Sequence, residues 1–363
     1  MRIRSGIAAA AITTAIVAAG ALQPVSAAAP DGKDRATLFG PSGPDGRPAA
    51  ATRFTRASDN NDDGLVVGES TAGTRARAAS WTGGKPTDLG TLNPQDPASS
   101  ALGVNAAGKI TGWSGDNTYP TGYTRAVVWS GGRATELPPT QPGQDAWGFA
   151  INAGDQVAGW SGKYLADMRA TLWTGGRPTL LGELPGGRGS LANDINDKGQ
   201  VVGTSQTAGG NRAALWEPGR APVDLGTLPG GTDSWAEGIS ADGTIVGSAI
   251  DQNGATHAVS WTNGQITDLG TLPGLQHSSA NAVTDAGQVA GASGPPPRPT
   301  LWTNGQPADL GVPATAVNAQ LESINARSQI VGSAENADGS RDAVLWTSEG
   351  GTWKSQLLTP LPN

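Results

Sequence analysis

Ser190-Leu-Ala-Asn-Asp-Ile-Asn196 opens the fullest copy of an internal repeat, which continues with Gly199-Gln-Val-Val-Gly203, Arg212-Ala-Ala-Leu-Trp216 and Asp224-Leu-Gly-Thr-Leu228. Each run is short and rich in apolar or β-branched residues, and Gly, Pro, Asn or Asp separates it from the next. One copy therefore predicts four short strands. The second and third runs are apolar at successive positions, which is typical of a sheet covered on both faces.

Two markers of this repeat recur in step along the chain. Seven tryptophans follow an apolar or small pair at spacings of 41 to 48 residues: Trp81, Trp129, Trp173, Trp216, Trp261, Trp302 and Trp346. Seven glycines follow a pair such as Val-Val or Ile-Val: Gly68, Gly112, Gly159, Gly203, Gly247, Gly291 and Gly332. Seven copies of about 44 residues with four strands each predict an all-β β-propeller of seven four-stranded antiparallel blades.

The repeated residues have a structural explanation. A Trp at one position of every blade buries about 150 to 250 Å² of ring between blades, so we expect the seven rings to form the core. The glycine after the apolar pair indicates a close backbone approach where blades crowd together. The Asn-x-x-Gly before it predicts a tight turn between the first two strands.

Three of the motifs carry a family resemblance. Leu225-Gly-Thr-Leu-Pro-Gly-Gly231, Ile195-Asn-Asp-Lys-Gly-Gln-Val-Val-Gly203 and His257-Ala-Val-Ser-Trp261 resemble the extracellular HAF-repeat proteins of bacteria. The resemblance spans about residues 50 to 350, and these motifs are structural. The family supplies no agreed activity that could be transferred to this chain.

The N-terminus predicts export. Arg2 and Arg4 precede the apolar run 7–22, and Val25 and Ala27 occupy the positions that a signal peptidase reads. We therefore expect a signal peptide at 1–27, a flexible lead-in at 28–50 and a single propeller domain at 51–363. The apolar run is shorter than the roughly 20 residues of a spanning helix, so a membrane anchor is the weaker alternative. The expected product is a secreted, extracellular monomer without membrane insertion.

Composition agrees with this architecture and restricts the function. The 363 residues include 54 Gly and 26 Pro, a load that suits many short strands better than long helices. No cysteine is present, which excludes thiol chemistry and disulfides. The formal net charge of −7 and the lack of a Lys/Arg cluster argue against nucleic acid as a partner.

Length variation is confined to one part of the repeat. The distance from each Trp to the next marker glycine is 30 or 31 residues, whereas the distance from marker glycine to Trp varies from 11 to 17. The loop between the second and third strands therefore varies, on the face that also holds the connection to the next blade. We expect this rim to be the working surface.

Blades two and three differ from the other blades in the aromatic residues of that rim. Trp113 and Trp160 follow the marker glycine where four other blades have Thr, Ser or Ala, and the loops nearby hold all three tyrosines, Tyr119, Tyr123 and Tyr164. The sequence predicts that the two tryptophans are exposed. The five rings are candidates for a patch that binds a sugar or a peptide. The alternative is that the two loops carry small cores of their own.

The first strand of each blade, innermost in a propeller, differs at the third residue before the turn. Blades four to seven have Asn193, Glu237, Asn281 and Glu322 there, and blades two and three have apolar residues. These four side chains are channel candidates that could hold a cation such as calcium. A hydrated channel without a ligand is the alternative.

A second weak metal signal lies in the first turn. Asp59, Asn61, Asp63 and Gly64 match half of a calcium loop, but Ser70 stands at the twelfth position, where an acidic residue is required. The same residues coincide with the turn of the other repeats. We therefore favour a turn and expect no cofactor, with calcium as the weaker possibility.

The sequence identifies no catalytic residue. Neither histidine lies beside a nucleophile motif, although carboxylates from different blades could meet in a funnel. The function that we expect is a binding or interaction module for an extracellular small molecule, glycan or protein. A secreted hydrolase or lyase with cross-blade carboxylates is the alternative.

Overall fold

The computed structural model describes residues 54–72, 75–116, 122–164 and 166–362, and the described residues are all-β, without a helix. The expected signal peptide and lead-in, and Tyr119 of the aromatic patch, lie outside them. No helix in these ranges has the length and apolar character to cross a bilayer.

Twenty-eight strands form seven sheets of four, each sheet from one continuous stretch of chain. The first blade is β1 Thr55–Asn60, β2 Val66–Ala72, β3 Arg75–Thr82 and β4 Lys85–Asp88; the second is β5 Ala98–Val104, β6 Ile110–Gly115, β7 Thr124–Ser130 and β8 Arg133–Leu137; the third is β9 Asp145–Ile151, β10 Val157–Gly162, β11 Arg169–Thr174 and β12 Arg177–Leu180; the fourth is β13 Gly189–Ile195, β14 Val201–Thr207, β15 Gly210–Trp216 and β16 Val223–Asp224. The fifth is β17 Ser234–Ile239, β18 Ile245–Ile250, β19 Thr256–Thr262 and β20 Gln265–Asp268; the sixth is β21 Ser278–Val283, β22 Val289–Ser293, β23 Arg298–Thr303 and β24 Gln306–Asp309; the seventh is β25 Ala316–Ile324, β26 Ile330–Asn336, β27 Arg341–Glu349 and β28 Thr352–Leu357.

Within each blade the strands pair antiparallel in chain order. The first strands of neighbouring blades contact one another around the whole ring, and β1 contacts β25, so these strands surround a central channel. The predicted seven-bladed propeller with four antiparallel strands in each blade is confirmed.

The fourth strand begins earlier than the sequence indicated. In the fourth blade β16 is Val223–Asp224 and not the run 224–228. Gly226 has φ of 79°, which an extended strand does not accommodate. The residues after it form the connection to the next blade, and Leu228 in this connection is buried between blades.

The seven repeated tryptophans form the core, as predicted, and none is more than 3 % exposed. Each ring lies on a third strand and packs with residues of a neighbouring blade. In the fourth blade, for example, Trp216 clusters with Ala158 and Leu184 of the third, and its Nε1 donates to the Gly182 carbonyl at 3.1 Å. The blades are therefore held together by apolar burial, and four of the seven rings, those of Trp81, Trp173, Trp216 and Trp346, add a bond from the indole to a backbone carbonyl.

The turns between first and second strands are linked around the ring. In five blades the turn Asn donates its side-chain amide to the corresponding backbone carbonyl of the next blade, at 2.9 to 3.1 Å: Asn325 to Asn61, Asn61 to Asn105, Asn105 to Asn152, Asn152 to Asn196 and Asn196 to Ser240. Ser240 and Thr284 take the Asn position in the fifth and sixth blades, and their hydroxyls bond within their own turns. We call this set the turn ring.

The seam between the seventh and first blades is closed by the segment 358–361, which we call the C-terminal seal. Leu358 and Leu361 are buried against Trp81, and Trp81 Nε1 donates to the Thr359 carbonyl at 2.7 Å. Leu361 N donates to Ser70 Oγ, as Leu184 N donates to Ser205 Oγ between the third and fourth blades. The seal thus repeats the contacts of an ordinary connection between blades.

Each first strand carries a β-bulge at the third residue before the turn, shown by a shift of register against the second strand. The bulge brings the two backbones together at the marker glycine. A Cβ on Gly203 would lie 2.0 Å from the Leu191 carbonyl oxygen, and all seven marker glycines have the same clash. The close approach is therefore within a blade, and the expectation of crowding between blades is wrong.

Candidate functional site

The mouth of the channel is the end at which the first strands begin, on the face that holds the variable loops. Two residues of each first strand lie at this mouth: the bulged residue and the residue two positions earlier. The earlier set is Arg56, Ser100, Trp147, Leu191, Trp235, Ser279 and Gln320, and each of these pairs with the residue after the marker glycine. The mouth therefore depends on two adjacent strands of every blade.

An aromatic wall covers the side of the second and third blades. Trp147 stacks between Trp113, at a centroid distance of 5.2 Å, and Tyr164, at 6.0 Å. The ring of Trp160 is tilted against that of Trp147 at a centroid distance of 5.8 Å. Phe149 contacts the ring of Trp147 edge-on at 6.2 Å. These five rings, which we call the aromatic wall, extend through Leu191 to Trp235 in one apolar cluster.

The predicted exposure of Trp113 and Trp160 is wrong. Their rings are 2 % and 0 % exposed, because each lies on a second strand whose partner is the innermost strand. Tyr164 packs on them from its loop and is partly exposed. Tyr123 stays outside this cluster, at 38 % exposure beneath the Arg125 guanidinium. The loop of the third blade thus contributes Tyr164 to a local core, which is the alternative considered for it, whereas Tyr123 of the second blade's loop does not join that core.

Trp147 joins the wall and was not among the sequence candidates. The signal was available, since Trp147 and Trp235 are the two tryptophans that occur five residues before the turn position of a first strand. In the repeat, the residue after the marker glycine is the more conspicuous position, because four other blades have Thr, Ser or Ala there. The strand pairing shows that both positions form one contact.

A polar wall faces the aromatic wall across the fourth to seventh blades. It consists of the four channel candidates, and the structure brings them into one arc. Asn193 Nδ2 donates to Glu237 Oε2 at 3.0 Å and to the Ala236 carbonyl at 2.9 Å. Asn281 Nδ2 donates to the Leu321 carbonyl at 2.6 Å. Glu237 Oε1 and Asn281 Oδ1 are buried without a hydrogen-bond partner.

Glu322 is part of an ionic cluster at the seam. Its Oε1 lies 3.3 Å from Arg56 Nη2 and accepts from Gln320 Nε2 at 2.8 Å. Arg56 also acts on Glu69, its partner across the first two strands, and Arg341 lies nearby. In the first blade the Arg56–Glu69 pair thus occupies the positions that Trp147 and Trp160 occupy in the third.

Burial governs the protonation of the channel acids. Desolvation, increased by repulsion from Glu322, raises the pKa of Glu237 well above its ordinary value, against a lowering by the Asn193 hydrogen bond. Desolvation also raises the pKa of Glu69, although Arg56 opposes it. Burial therefore favours the protonated form of Glu237.

Two further carboxylates lie deeper in the channel, one residue beyond the bulge. Asp59 accepts from Val104 N at 2.8 Å and from Ser323 Oγ at 2.7 Å, and Asp194 accepts from Ile239 N at 2.9 Å. Burial raises the pKa of both, and for Asp194, where Asp59 adds repulsion, it reaches about 7. Each of these acids joins its own blade to the next.

The weak metal candidates of the first turn do not converge. Asn61 Nδ2 belongs to the turn ring, and its Oδ1 accepts from Asp63 N and Leu65 N within its own turn. Asp59 is held by the contacts just described, and the exposed Asp63 carboxylate lies 3.9 Å from Arg327. This geometry agrees with the turn interpretation. Within the described ranges no group of three or more His, Cys, Asp or Glu side chains is arranged to hold a metal ion.

Comparison with known proteins supports the fold. No family model and no curated protein matches the sequence. Among solved structures, a puromycin-hydrolyzing peptidase of Mycobacterium tuberculosis superposes with a TM-score of 0.57 at 14 % identity, over 86 % of this chain and 54 % of the peptidase. An acylaminoacyl peptidase of Pyrococcus horikoshii gives a TM-score of 0.53 at 11 % identity, over 85 % and 52 %. The chain spans about half the length of these two peptidases, and at such identities the likeness is one of fold.

Proposed function

We propose that this chain is a secreted binding propeller that holds an extracellular ligand at the mouth of its channel. The observation that carries the proposal is the pair of buried, unpartnered oxygens, Glu237 Oε1 and Asn281 Oδ1. Other side-chain atoms are also buried without a partner, but these two are acceptors at the same bulged position of neighbouring blades, and such a pair requires an explanation. A ligand that donates hydrogen bonds to them provides it.

The opposite wall supports the same proposal and restricts the ligand. The partly exposed Leu102, Phe149 and Tyr164 offer apolar and ring surface, backed by the buried tryptophans. Sites for small molecules combine such surface with a few fixed polar groups. A ligand with an apolar face and hydrogen-bond donors, such as a sugar or a peptide side chain, suits both walls. The N-terminal Arg2 and Arg4 with the apolar run 7–22 support export to where such ligands occur.

The test is a screen of the purified protein on glycan and peptide arrays, followed by titration of any ligand found. Asn281→Ala removes an unpartnered oxygen from the mouth, and we expect it to weaken binding at least tenfold. Gln265→Ala, at an exposed position of β20, the outermost strand of the fifth blade, is the matched control and should bind normally. Equal affinity of both variants would place the site elsewhere.

A hydrolase is the second candidate, and the raised pKa of Glu237 favours it. A buried carboxylic acid whose pKa is raised well above its ordinary value is the group from which many hydrolases draw a general acid. A panel of fluorogenic glycosides and peptides tests this candidate. A hydrolase should lose at least 100-fold in kcat in Glu237→Gln, while a pure binding protein shows no turnover before substitution.

A further inference from the structure

We propose that the polar wall binds a primary ammonium group, held between Glu237 Oε1 and Asn281 Oδ1 and carried on a ligand that packs toward Trp235. This inference rests on the proposed function and specifies its ligand. The two oxygens belong to neighbouring blades, at the same bulged position of β17 and β21. Glu237 is 8 % exposed, so its free oxygen is enclosed by the protein.

The hydrogen bonds of both groups leave one oxygen of each side chain without a partner. The Asn281 amide nitrogen is committed to the Leu321 carbonyl, which turns Oδ1 away from that bond. Asn193 Nδ2 donates to Glu237 Oε2, and Glu237 Oε1 has no partner. An ammonium group has three donors and no acceptor, and it therefore complements a site of this kind.

The charges of the polar wall favour a ligand with a single positive charge. Glu322 is paired with Arg56 and Gln320, whereas no ion pair among the described residues includes Glu237. Ionised Glu237 would therefore be the uncompensated charge of the polar wall. A calcium ion would need six to eight oxygen ligands, and with Glu322 committed the wall offers two unpartnered oxygens. A monocation with directional donors fits better.

Trp235 gives the ligand its apolar contact. It lies two residues before Glu237 on β17, is 5 % exposed and joins the cluster that contains Trp147 and Leu191. A cation beside an aromatic ring gains from the ring quadrupole, and the carbons next to an amine bury well there. Two sources carry this chemistry, an amino sugar and a lysine side chain.

Binding exchanges a proton. Burial and Glu322 raise the pKa of Glu237 well above its ordinary value in the free protein and so favour its protonated form, with Asn193 on β13 opposing this and Arg56 on β1 occupied by Glu322. When R-NH₃⁺ enters, the Glu237 carboxyl loses its proton to water and the carboxylate pairs with the ammonium. Apparent affinity should therefore rise with pH, by up to about tenfold per unit, until Glu237 is ionised or the amine is neutral.

Isothermal titration tests the inference with glucosamine, N-acetylglucosamine, glucose, Nα-acetyl-lysine methylamide and calcium chloride as probes. We expect glucosamine or the lysine derivative to bind at least tenfold tighter than N-acetylglucosamine and glucose, and the better of the two identifies the source. Heats in two buffers of different ionisation enthalpy should show the release of protons.

Glu237→Gln should abolish the preference for the amine. The glutamine still offers Asn193 an acceptor oxygen, and the melting temperature of the variant shows whether it folds. Glu349→Gln, at an exposed site on β27, is the matched control. Equal binding of glucose and glucosamine would overturn the ammonium site but leave the proposed function standing. Calcium binding that Glu237→Gln removes would also overturn it. If no amine binds, the inference fails, and the array screen with Asn281→Ala then judges the proposed function separately.

Discussion

Trp160 shows at the residue scale how a side chain at a variable position becomes core. Its ring is completely buried between Trp147 and Tyr164, and its strand partner is the innermost strand of the blade. Trp160→Ala would leave a cavity the size of an indole where the surrounding backbone cannot collapse. We expect a loss of about 3 to 5 kcal/mol in the free energy of unfolding, measured with urea.

Tyr123→Ala is the control for this prediction, since Tyr123 is an aromatic residue of the neighbouring loop that remains 38 % exposed. It should change the free energy of unfolding by about 0.5 kcal/mol or less, as surface substitutions usually do. Similar losses in both variants would contradict the assignment of Trp160 to a local core.

Asp194 gives the protein a dependence on pH. Its pKa is about 7 in the folded chain and about 3.9 in an unfolded one, so the folded state holds the proton more tightly. The stability from this group is complete below about pH 4 and is lost as pH rises to about 7. The loss amounts to at most about 4 kcal/mol, at 1.36 kcal/mol per pKa unit.

The measurement is a series of urea titrations between pH 4 and pH 8 on the original protein and on Asp194→Asn, which cannot ionise there. The variant should lose less stability over this interval, because the remaining slope comes from other acids such as Glu237. Parallel curves for the two proteins would show that Asp194 does not ionise differently in the folded state.

At the scale of single elements, the turn ring joins the first turn of five blades to the first turn of the next blade. Asn196 donates to the Ser240 carbonyl of the fifth blade, and its Oδ1 accepts from Lys198 N and Gln200 N. Asn196→Ala leaves buried backbone groups unpaired. A loss of about 1 to 3 kcal/mol is expected in chemical denaturation.

Thr284→Ala provides the comparison, because Thr284 stands at the same position of the sixth blade and bonds within its own turn. Its loss should be clearly smaller than that of Asn196→Ala. If the two substitutions cost the same, the bond between blades contributes nothing beyond the local turn.

The elements themselves could be predicted because they repeat. Trp216 and Gly203 are each one of seven copies, so the number of blades, the strand order and the buried rings follow from periodicity. The β-bulge left no such sign. Its effect is that a Cβ added at Gly203 would lie 2.0 Å from a carbonyl oxygen. This distance depends on the register between two strands, which composition does not specify.

The candidate site was harder to predict for the same reason. The polar wall was found, since Asn193, Glu237, Asn281 and Glu322 share one position and differ in kind from their neighbours. The aromatic wall was misjudged, because the exposure of Trp113 depends on Trp147, a residue on another blade. Contacts between blades determine burial, and a single repeat does not contain them.

At the scale of the whole molecule, closure of the ring depends on the C-terminal seal. Leu357 and Leu358 are adjacent, yet Leu357 is 39 % exposed and Leu358 is 2 % exposed against the first blade. Leu358→Ala should cost about 2 to 5 kcal/mol and lower the melting temperature of the entire propeller. Leu357→Ala, the matched substitution one residue earlier, should leave the melting temperature almost unchanged.

Calorimetry distinguishes this closure from local fraying. If the seam holds the ring together, Leu358→Ala shifts a single cooperative transition. A separate early transition with an unchanged main peak would mean that the first and seventh blades come apart without affecting the other blades.

The C-terminal seal also imposes an order on biosynthesis. A chain that grows from its N-terminus completes the first blade early, but the residues that cover Trp81 are made much later, 278 residues later in the case of Thr359. Until then the ring has an open flank with an indole and buried apolar groups exposed to other nascent chains. Such surfaces are where misassembly begins, so this protein has the greatest need of chaperones during the interval before residues 358–361 emerge.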